Sequence, residues 1–337
     1  MKHTTARTPF ALPPLVRISS LFVLLLSCAA CTTDSPGSDI DGGDTGGDGS
    51  NGGSGSDAPP ATLTCAGKQM QPLDATWTVG GRQVRVHVPA SYDPAHATPV
   101  VLNLHGYSGD GLQQLTISKM IATSDAKGFI ALHPDGHHTP RGWNAGVCCG
   151  AAATSGTDDT AWLASVLDEV EAKLCVDTNR VFATGLSNGG FMAHRLGCEL
   201  ADRFAAIAPV AGVVGISSCN PSRPVAVMHI HGDADPLIPY TGGGVNGNES
   251  VATTIDRWAT KNGCTGAPTQ TFQHGDATCM TRSNCTDNAD VTLCTIAGGG
   301  HQWPGGISIG SFLGELSTDL DATNAMWEFF AAHARTD

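Results

Sequence analysis

The chain has 337 residues and a formal net charge of -13, from 31 acidic against 18 basic side chains. No Lys/Arg cluster occurs along it, which excludes nucleic acid as an expected partner, because such binding depends on neutralising phosphates. The length allows one large domain or two ordinary ones, but the first sixty residues do not have the composition of a folded core.

Basic Lys2, Arg7 and Arg17 precede the apolar run Leu21 to Leu26, which is too short to cross a bilayer as a permanent helix. This pattern predicts an export signal. The run ends in Ser27-Cys28-Ala-Ala-Cys31, the form of a bacterial lipoprotein box, in which a small residue precedes the cysteine that is cleaved at and acylated. Cys28 has the better upstream residues and Cys31 the better small pair, so either is a candidate lipidation site; a plain secretory signal is the alternative. Residues 32–60 are mostly Gly, Ser and Asp, with six aspartates between Asp34 and Asp57, and cannot bury enough surface to offset their ordering entropy. The expected organisation is a signal over 1–31, a flexible acidic linker over 32–60 and one folded domain over 61–337. The protein is expected to be exported and either lipid-anchored or secreted. It would meet a membrane only through that anchor and act as a monomer.

Within the domain, apolar β-rich runs recur at 84–88, 100–104, 129–132, 181–184, 205–210, 225–230 and 291–296. Most are continuous rather than alternating, as suits a sheet covered on both faces, and the segments between them carry helical spacing. Asp158-Asp159 caps a helix that aligns Trp162, Val166, Val170 and Leu174 on one stripe. Further helices are predicted over 190–200, 251–262 and 319–333, the last closing the domain. Strands alternating with helices predict an α/β class with a mostly parallel, doubly wound sheet and helices on both faces.

Ten cysteines lie beyond the linker, an even number that in an exported chain predicts disulfide-stapled loops. Cys198 with Cys219 is a plausible pair, bracketing the strand after the 190–200 helix. No Cys-x-x-Cys occurs, and no metal site is expected.

Four segments carry chemistry. The strand at 181–184 runs into Gly185-Leu-Ser187-Asn-Gly189, a nucleophile elbow in which glycines two residues either side of Ser187 leave room for a strained turn. The strand at 225–230 runs into His231-Gly-Asp233-Ala-Asp235, where Asp235 is the preferred acid and Asp233 is expected to hold the loop by bonding backbone amides. His229 and His231 share a strand face, and structural hydrogen bonding is the expected role for them. The strand at 291–296 runs into a glycine-rich loop with His301 as candidate base. Ser, acid, His is the α/β-hydrolase order. The strand at 100–104 ends in His105-Gly106-Tyr107, which would give an oxyanion hole from the Tyr107 and Asn188 amides, with His105 bracing the loop.

These residues resemble the polyhydroxybutyrate-depolymerase-like esterases, grouped with the feruloyl esterases of carbohydrate esterase family one. The likeness runs from about Cys65 to Asp337. It rests on Leu104-His-Gly106, Gly142-Trp143-Asn-Ala-Gly146 with Cys148-Cys149-Gly150, Asp158-Asp159, residues 176–180 and 185–190, His231-Gly-x-x-Asp235 and Gly299-Gly-His301-Gln-Trp303-Pro-Gly-Gly306. The resemblance implies an α/β-hydrolase fold, a Ser187, Asp235, His301 triad and no cofactor. The implied substrates are polymeric or small esters, either hydroxycinnamoyl or acetyl esters on plant-wall xylan or hydroxyalkanoate polyesters. Tyr107, where many depolymerases carry cysteine, and the lack of an added substrate-binding domain before Asp337 favour the feruloyl or acetyl-xylan branch. Trp303 and Trp143 are candidate substrate contacts, as an aromatic platform for an acyl group or sugar ring. The non-enzyme rival is a surface lipoprotein that uses the scaffold only to bind glycan or polymer.

Overall fold

The computed structural model describes residues 65–244 and 246–336. The expectations for the signal, for Cys28 and Cys31 and for the linker lie outside the described residues. A hairpin opens the fold, β1 (Asp74–Val79) and β2 (Arg82–His87), joined at Gly80 and Gly81. Both glycines have positive φ, 53° and 80°, as a two-residue primed turn requires. Then come β3 (Thr98–Leu104), α1 (Gly111–Ser118), α2 (Met120–Lys127), β4 (Ile130–Pro134), α3 (Gly150–Thr154) and α4 (Asp159–Lys173). The central crossing is β5 (Val176–Leu186) into α5 (Asn188–Glu199), followed by β6 (Ala206–Val210), β7 (Ala226–Gly232) and α6 (Val251–Lys261). Strands β8 (Thr269–His274), β9 (Ala277–Arg282) and β10 (Val291–Ile296) precede the closing helix α7 (Ala322–Ala331).

Among the described residues one sheet holds all ten strands, in the order β1-β2-β4-β3-β5-β6-β7-β10-β9-β8. The six from β4 to β10 run parallel, and antiparallel hairpin strands extend both edges. The continuous apolar runs divide by alternation between two cores. Val100, Leu102, Leu104, Val181, Ala183, Ile207 and Val227 face α4, α5 and α6, while Val101, Phe182, Leu186, Ala208, Val210 and Ile230 face α1, α2 and α7. Helix caps follow the sequence signals: Asp158 accepts from the Ala161 amide, Ser250 from Thr253 and Asp321 from Asn324.

Strand order reverses between β3 and β5, the place where an open α/β sheet leaves a crevice at its carboxyl edge. The loops after β3, β5, β7 and β10 all emerge on that edge. Among the described residues no helix is long and apolar enough to cross a membrane.

Among the described residues five disulfides staple the loops: Cys65–Cys175, Cys148–Cys149, Cys198–Cys219, Cys264–Cys285 and Cys279–Cys294. Cys198–Cys219 ties the end of α5 across β6 to the approach of β7, closing a 21-residue separation. Replacing both of these cysteines by serine should lower stability by about 3 kcal/mol through the freed unfolded chain. Thermal unfolding of the double variant measures this, and a melting temperature equal to that of the parent would contradict it.

Candidate active site

Ser187 lies where β5 turns at once into α5. Its φ of 58° and ψ of -121° put a residue with a side chain in a backbone region that costs about 1–3 kcal/mol. Flanking strands hold the turn. Gly185 and Gly189 press so closely on the end of β3 that a Cβ on either would collide with the Leu104 carbonyl, and Gly190 presses likewise on the Val210 carbonyl of β6. The Ser187 amide donates to that same Val210 carbonyl at 2.9 Å. The serine stays partly exposed at the sheet edge.

The loop after β3 lies against this turn, since a Cβ at Gly106 would sit 3.4 Å from the Ser187 Cβ. Buried His105 braces the loop. The Gly136 amide donates to His105 Nε2 at 2.8 Å, so the ring proton is on Nδ1, which donates to the Gly106 carbonyl at 2.7 Å. Burial pushes the His105 pKa below its ordinary value and keeps the ring neutral. Among the described residues, neither the Tyr107 amide nor the Asn188 amide donates to a protein group. Both are free for an incoming acceptor.

Asp235 follows β7, and the chain beyond it folds back so that the Leu237 and Ile238 amides donate to its Oδ1, each at 2.8 Å. Its Oδ2 accepts from His301 Nδ1 at 2.7 Å. That bond leaves the lone pair of His301 on Nε2. Burial raises the Asp235 pKa, but the His301 hydrogen bond and charge, the Ile238 amide and His231 outweigh it and hold it below the ordinary carboxylate value. Asp233 does something different. Its Oδ1 accepts from the Gly298 amide at 2.6 Å, and the Ala234 amide donates to the Gly299 carbonyl at 3.0 Å, lacing the acid loop to the histidine loop. No hydrogen bond reaches Ser187 Oγ among the described residues; such contacts commonly tighten only with substrate in place.

Two expected contacts are corrected. Trp143 and Trp303 are both fully buried, so neither offers a ring face to an acyl group or sugar. Trp303 donates from Nε1 to Thr323 at the start of α7, inside the core. Trp143 instead clamps the site from below. Its Nε1 donates to the His105 carbonyl at 2.9 Å, its amide to Asn188 Oδ1 at 2.7 Å, and Asn188 Nδ2 returns a bond to its carbonyl at 3.0 Å.

Two roles went unread in the sequence, and the structural hydrogen bonding expected of His229 and His231 takes a definite form. The Asn188 side chain forms that clamp, which no motif spacing reveals. Gln302 Nε2 donates to the Gly310 and Gly314 carbonyls and its Oε1 accepts from the Ile309 amide, holding the 307–314 loop beside His301, whose own amide donates to Leu313. His231 donates to the Ile238 carbonyl behind Asp235. His229 and His231 are both buried with their ring nitrogens in hydrogen bonds.

The depressed Asp235 pKa has a sign that can be checked. The unfolded carboxylate takes up its proton at higher pH than the native one, so the stability it contributes is complete above about pH 4 and is lost as pH falls through the native value. Acid unfolding of the parent and of Asp235→Asn should therefore converge in free energy below about pH 4. A constant gap down to the lowest pH would contradict the pairing.

A family model described as Esterase PHB depolymerase matches residues 88–241, a span that holds Tyr107, Ser187 and Asp235. Feruloyl esterase B of Piromyces equi is 34% identical over 234 residues, which is 65% of this chain and 42% of that protein, so the chain spans less than half of that relative. The probable feruloyl esterase C of Aspergillus niger is 31% identical over 275 residues, 79% of this chain and 90% of that one. Among solved structures, the acetyl xylan esterase of Aspergillus awamori shares the fold with a TM-score of 0.55 at 16% identity, covering 77% of this chain and 98% of the other. With an elbow serine, an acid after β7 and a histidine after β10 on an α/β-hydrolase sheet, and with a relative 31% identical matched over 90% of its length, the chain belongs to the PHB-depolymerase family of esterases, alongside the feruloyl esterases.

Proposed function

We propose that the chain is an exported serine esterase that releases hydroxycinnamoyl or acetyl groups from plant cell-wall xylan through an acyl-enzyme. The observation that carries this reading is the His301–Asp235 pair, with its free Nε2, on the same sheet edge as the strained Ser187 and two unpaired amides. His301 Nε2 takes the hydroxyl proton as Ser187 Oγ bonds to the ester carbonyl carbon. The Tyr107 and Asn188 amides hold the oxyanion, stabilising charge that exists only in the transition state. Collapse breaks the bond to the alcohol, which leaves with the proton from His301. Water, deprotonated by His301, then attacks the acyl carbon and frees the acid and the serine. Asp235 stays ionised throughout and holds the imidazole in the required tautomer.

The relatives and the surface support this choice of acyl group. The matched proteins are named as feruloyl and acetyl xylan esterases. The loops after β3, β4, β7 and β10, which leave the sheet at one edge, expose Tyr107, Val147, Leu237 and Phe312, and these apolar side chains suit a phenolic or alkyl acyl group better than the buried tryptophans do. The family model's description supports a hydroxyalkanoate polyester as the second reading. The five disulfides among the described residues support an oxidising compartment, and Cys28 or Cys31 is the proposed lipid anchor of a monomeric enzyme.

Ser187→Ala should cut turnover of a p-nitrophenyl ester by at least about 1,000-fold and abolish labelling by a fluorophosphonate probe, with unchanged circular dichroism. Retained turnover would refute the mechanism. Methyl ferulate, acetylated xylan and a polyhydroxybutyrate film assayed side by side decide the substrate: clearing of the film without release of ferulate or acetate would replace the first reading by the second.

A further inference from the structure

We propose that Trp258, His194, His229 and His231 form a hydrogen-bond chain of fixed direction that positions Asp235, making His231 a positioning residue of the triad; this rests on the esterase reading above. Trp258 lies on α6, His194 on the nucleophile helix α5, and His229 and His231 on β7, and all four are buried. The links run Trp258 Nε1 to His194 Nδ1 at 3.0 Å, His194 Nε2 to His229 Nδ1 at 3.2 Å, His229 Nε2 to His231 Nδ1 at 3.0 Å and His231 Nε2 to the Ile238 carbonyl at 2.9 Å.

The two ends decide the direction. An indole N–H only donates, so His194 Nδ1 must accept, and in a neutral ring its proton is then on Nε2. The same logic passes to His229 and to His231. At the far end a carbonyl only accepts, which independently requires the proton on His231 Nε2. Both ends give one answer. Neutral rings are the condition for it: burial pushes His194 to about 3, places His229 well below its ordinary value and lowers His231. The groups facing the chain are Asp235 and His301 at the His231 end and the Gly212 carbonyl beside His194.

The consequence falls on the acid. His231 Nε2–H points at the Ile238 carbonyl and lies 3.5 Å from Asp235 Oδ2, while the Ile238 amide donates to Oδ1. Fixing Ile238 fixes the carboxylate plane and leaves Oδ2 for His301. The opposite tautomer would set a ring lone pair against both the carbonyl and the carboxylate. Apolar side chains would fill the same space without polar atoms to satisfy, so the arrangement is not explained by packing. It also refers the acid loop and the nucleophile helix to one rigid core element.

The tautomers are read directly by long-range proton–nitrogen NMR on protein labelled with 15N-histidine. His194, His229 and His231 should all show a neutral, Nε2-protonated pattern that does not titrate between about pH 5 and 8. An Nδ1-protonated ring or titration in that range would overturn the proposal. In kinetics, His231→Leu should lower kcat about tenfold with KM within about twofold, and His231→Gln, whose amide can both accept from His229 and donate to Ile238, should recover most of it. Equal loss in both folded variants would overturn it. Trp258→Phe removes the donor remote from the site, so it serves if His231→Leu does not fold. It should leave His231 protonated on Nε2, because the Ile238 carbonyl still requires it, and let only His194 sample its second tautomer, with kcat changed less than about twofold; a His231 protonated on Nδ1 in this variant would overturn the chain. The NMR pattern needs no ester, so retained turnover in Ser187→Ala would sink the esterase reading while leaving the tautomer result to stand or fall alone.

Discussion

The close approach of β5, and of the turn that leaves it, to the carbonyl end of β3 is the constraint on which the site depends. Between Leu104 on one side and Val210 on the other there is no room for side chains at Gly185, Gly189 or Gly190, and the backbone at Ser187 is forced to a positive φ. The strain of about 1–3 kcal/mol persists because the flanking parallel strands over-determine the path. Loosening either contact would let the serine relax into an ordinary helix entry. Its hydroxyl would then leave the crevice at the switch between β3 and β5.

Around this turn the polar groups form a continuous lattice rather than separate contacts. Trp143 joins the His105 carbonyl to the Asn188 side chain, so the two loops whose amides face the crevice share one rigid support. Asp233 and the glycine-rich loop are laced through Gly298 and Gly299, and Gln302 secures the segment that covers His301. Behind Asp235, the directed chain from Trp258 brings α5, α6 and β7 into the same framework. Fully satisfied polar groups in a low-dielectric interior confer a single geometry, at the cost of desolvating each member.

Much of the architecture was legible because a buried parallel sheet leaves a strong mark. The run at 100–104 supplies both cores from one strand, so it reads as apolar but for Asn103, and the runs at 181–184 and 225–230 do the same with one buried polar residue each, Thr184 and His229. Strands β1, β8 and β9 left no such mark. Every residue of β8 is exposed, and its Thr-Gln-Thr-Phe-Gln-His sequence resembles a loop as much as an edge strand. Gly80-Gly81 between two alternating segments was a readable hairpin signal that the apolar-run reading passed over. The tryptophans failed for a different reason. Trp303 is two residues from His301, yet a loop has no fixed side-chain period, so closeness along the chain says nothing about which way the ring points.

By itself the sequence determined the order of chemistry. Serine, acid and histidine each follow a strand, with the glycines that an elbow needs and an even set of cysteines, because strand periodicity and backbone sterics act locally and leave residue-level traces. The tertiary structure decided the rest: how the cysteines other than Cys198 and Cys219 pair, that both tryptophans are buried, and that Asn188, Gln302 and three stacked histidines support the candidate triad. Those relations join residues that are often distant in the chain, and only folding sets their distances and directions. A histidine in a sequence has two possible tautomers; the indole and the carbonyl at the ends of a buried chain select one.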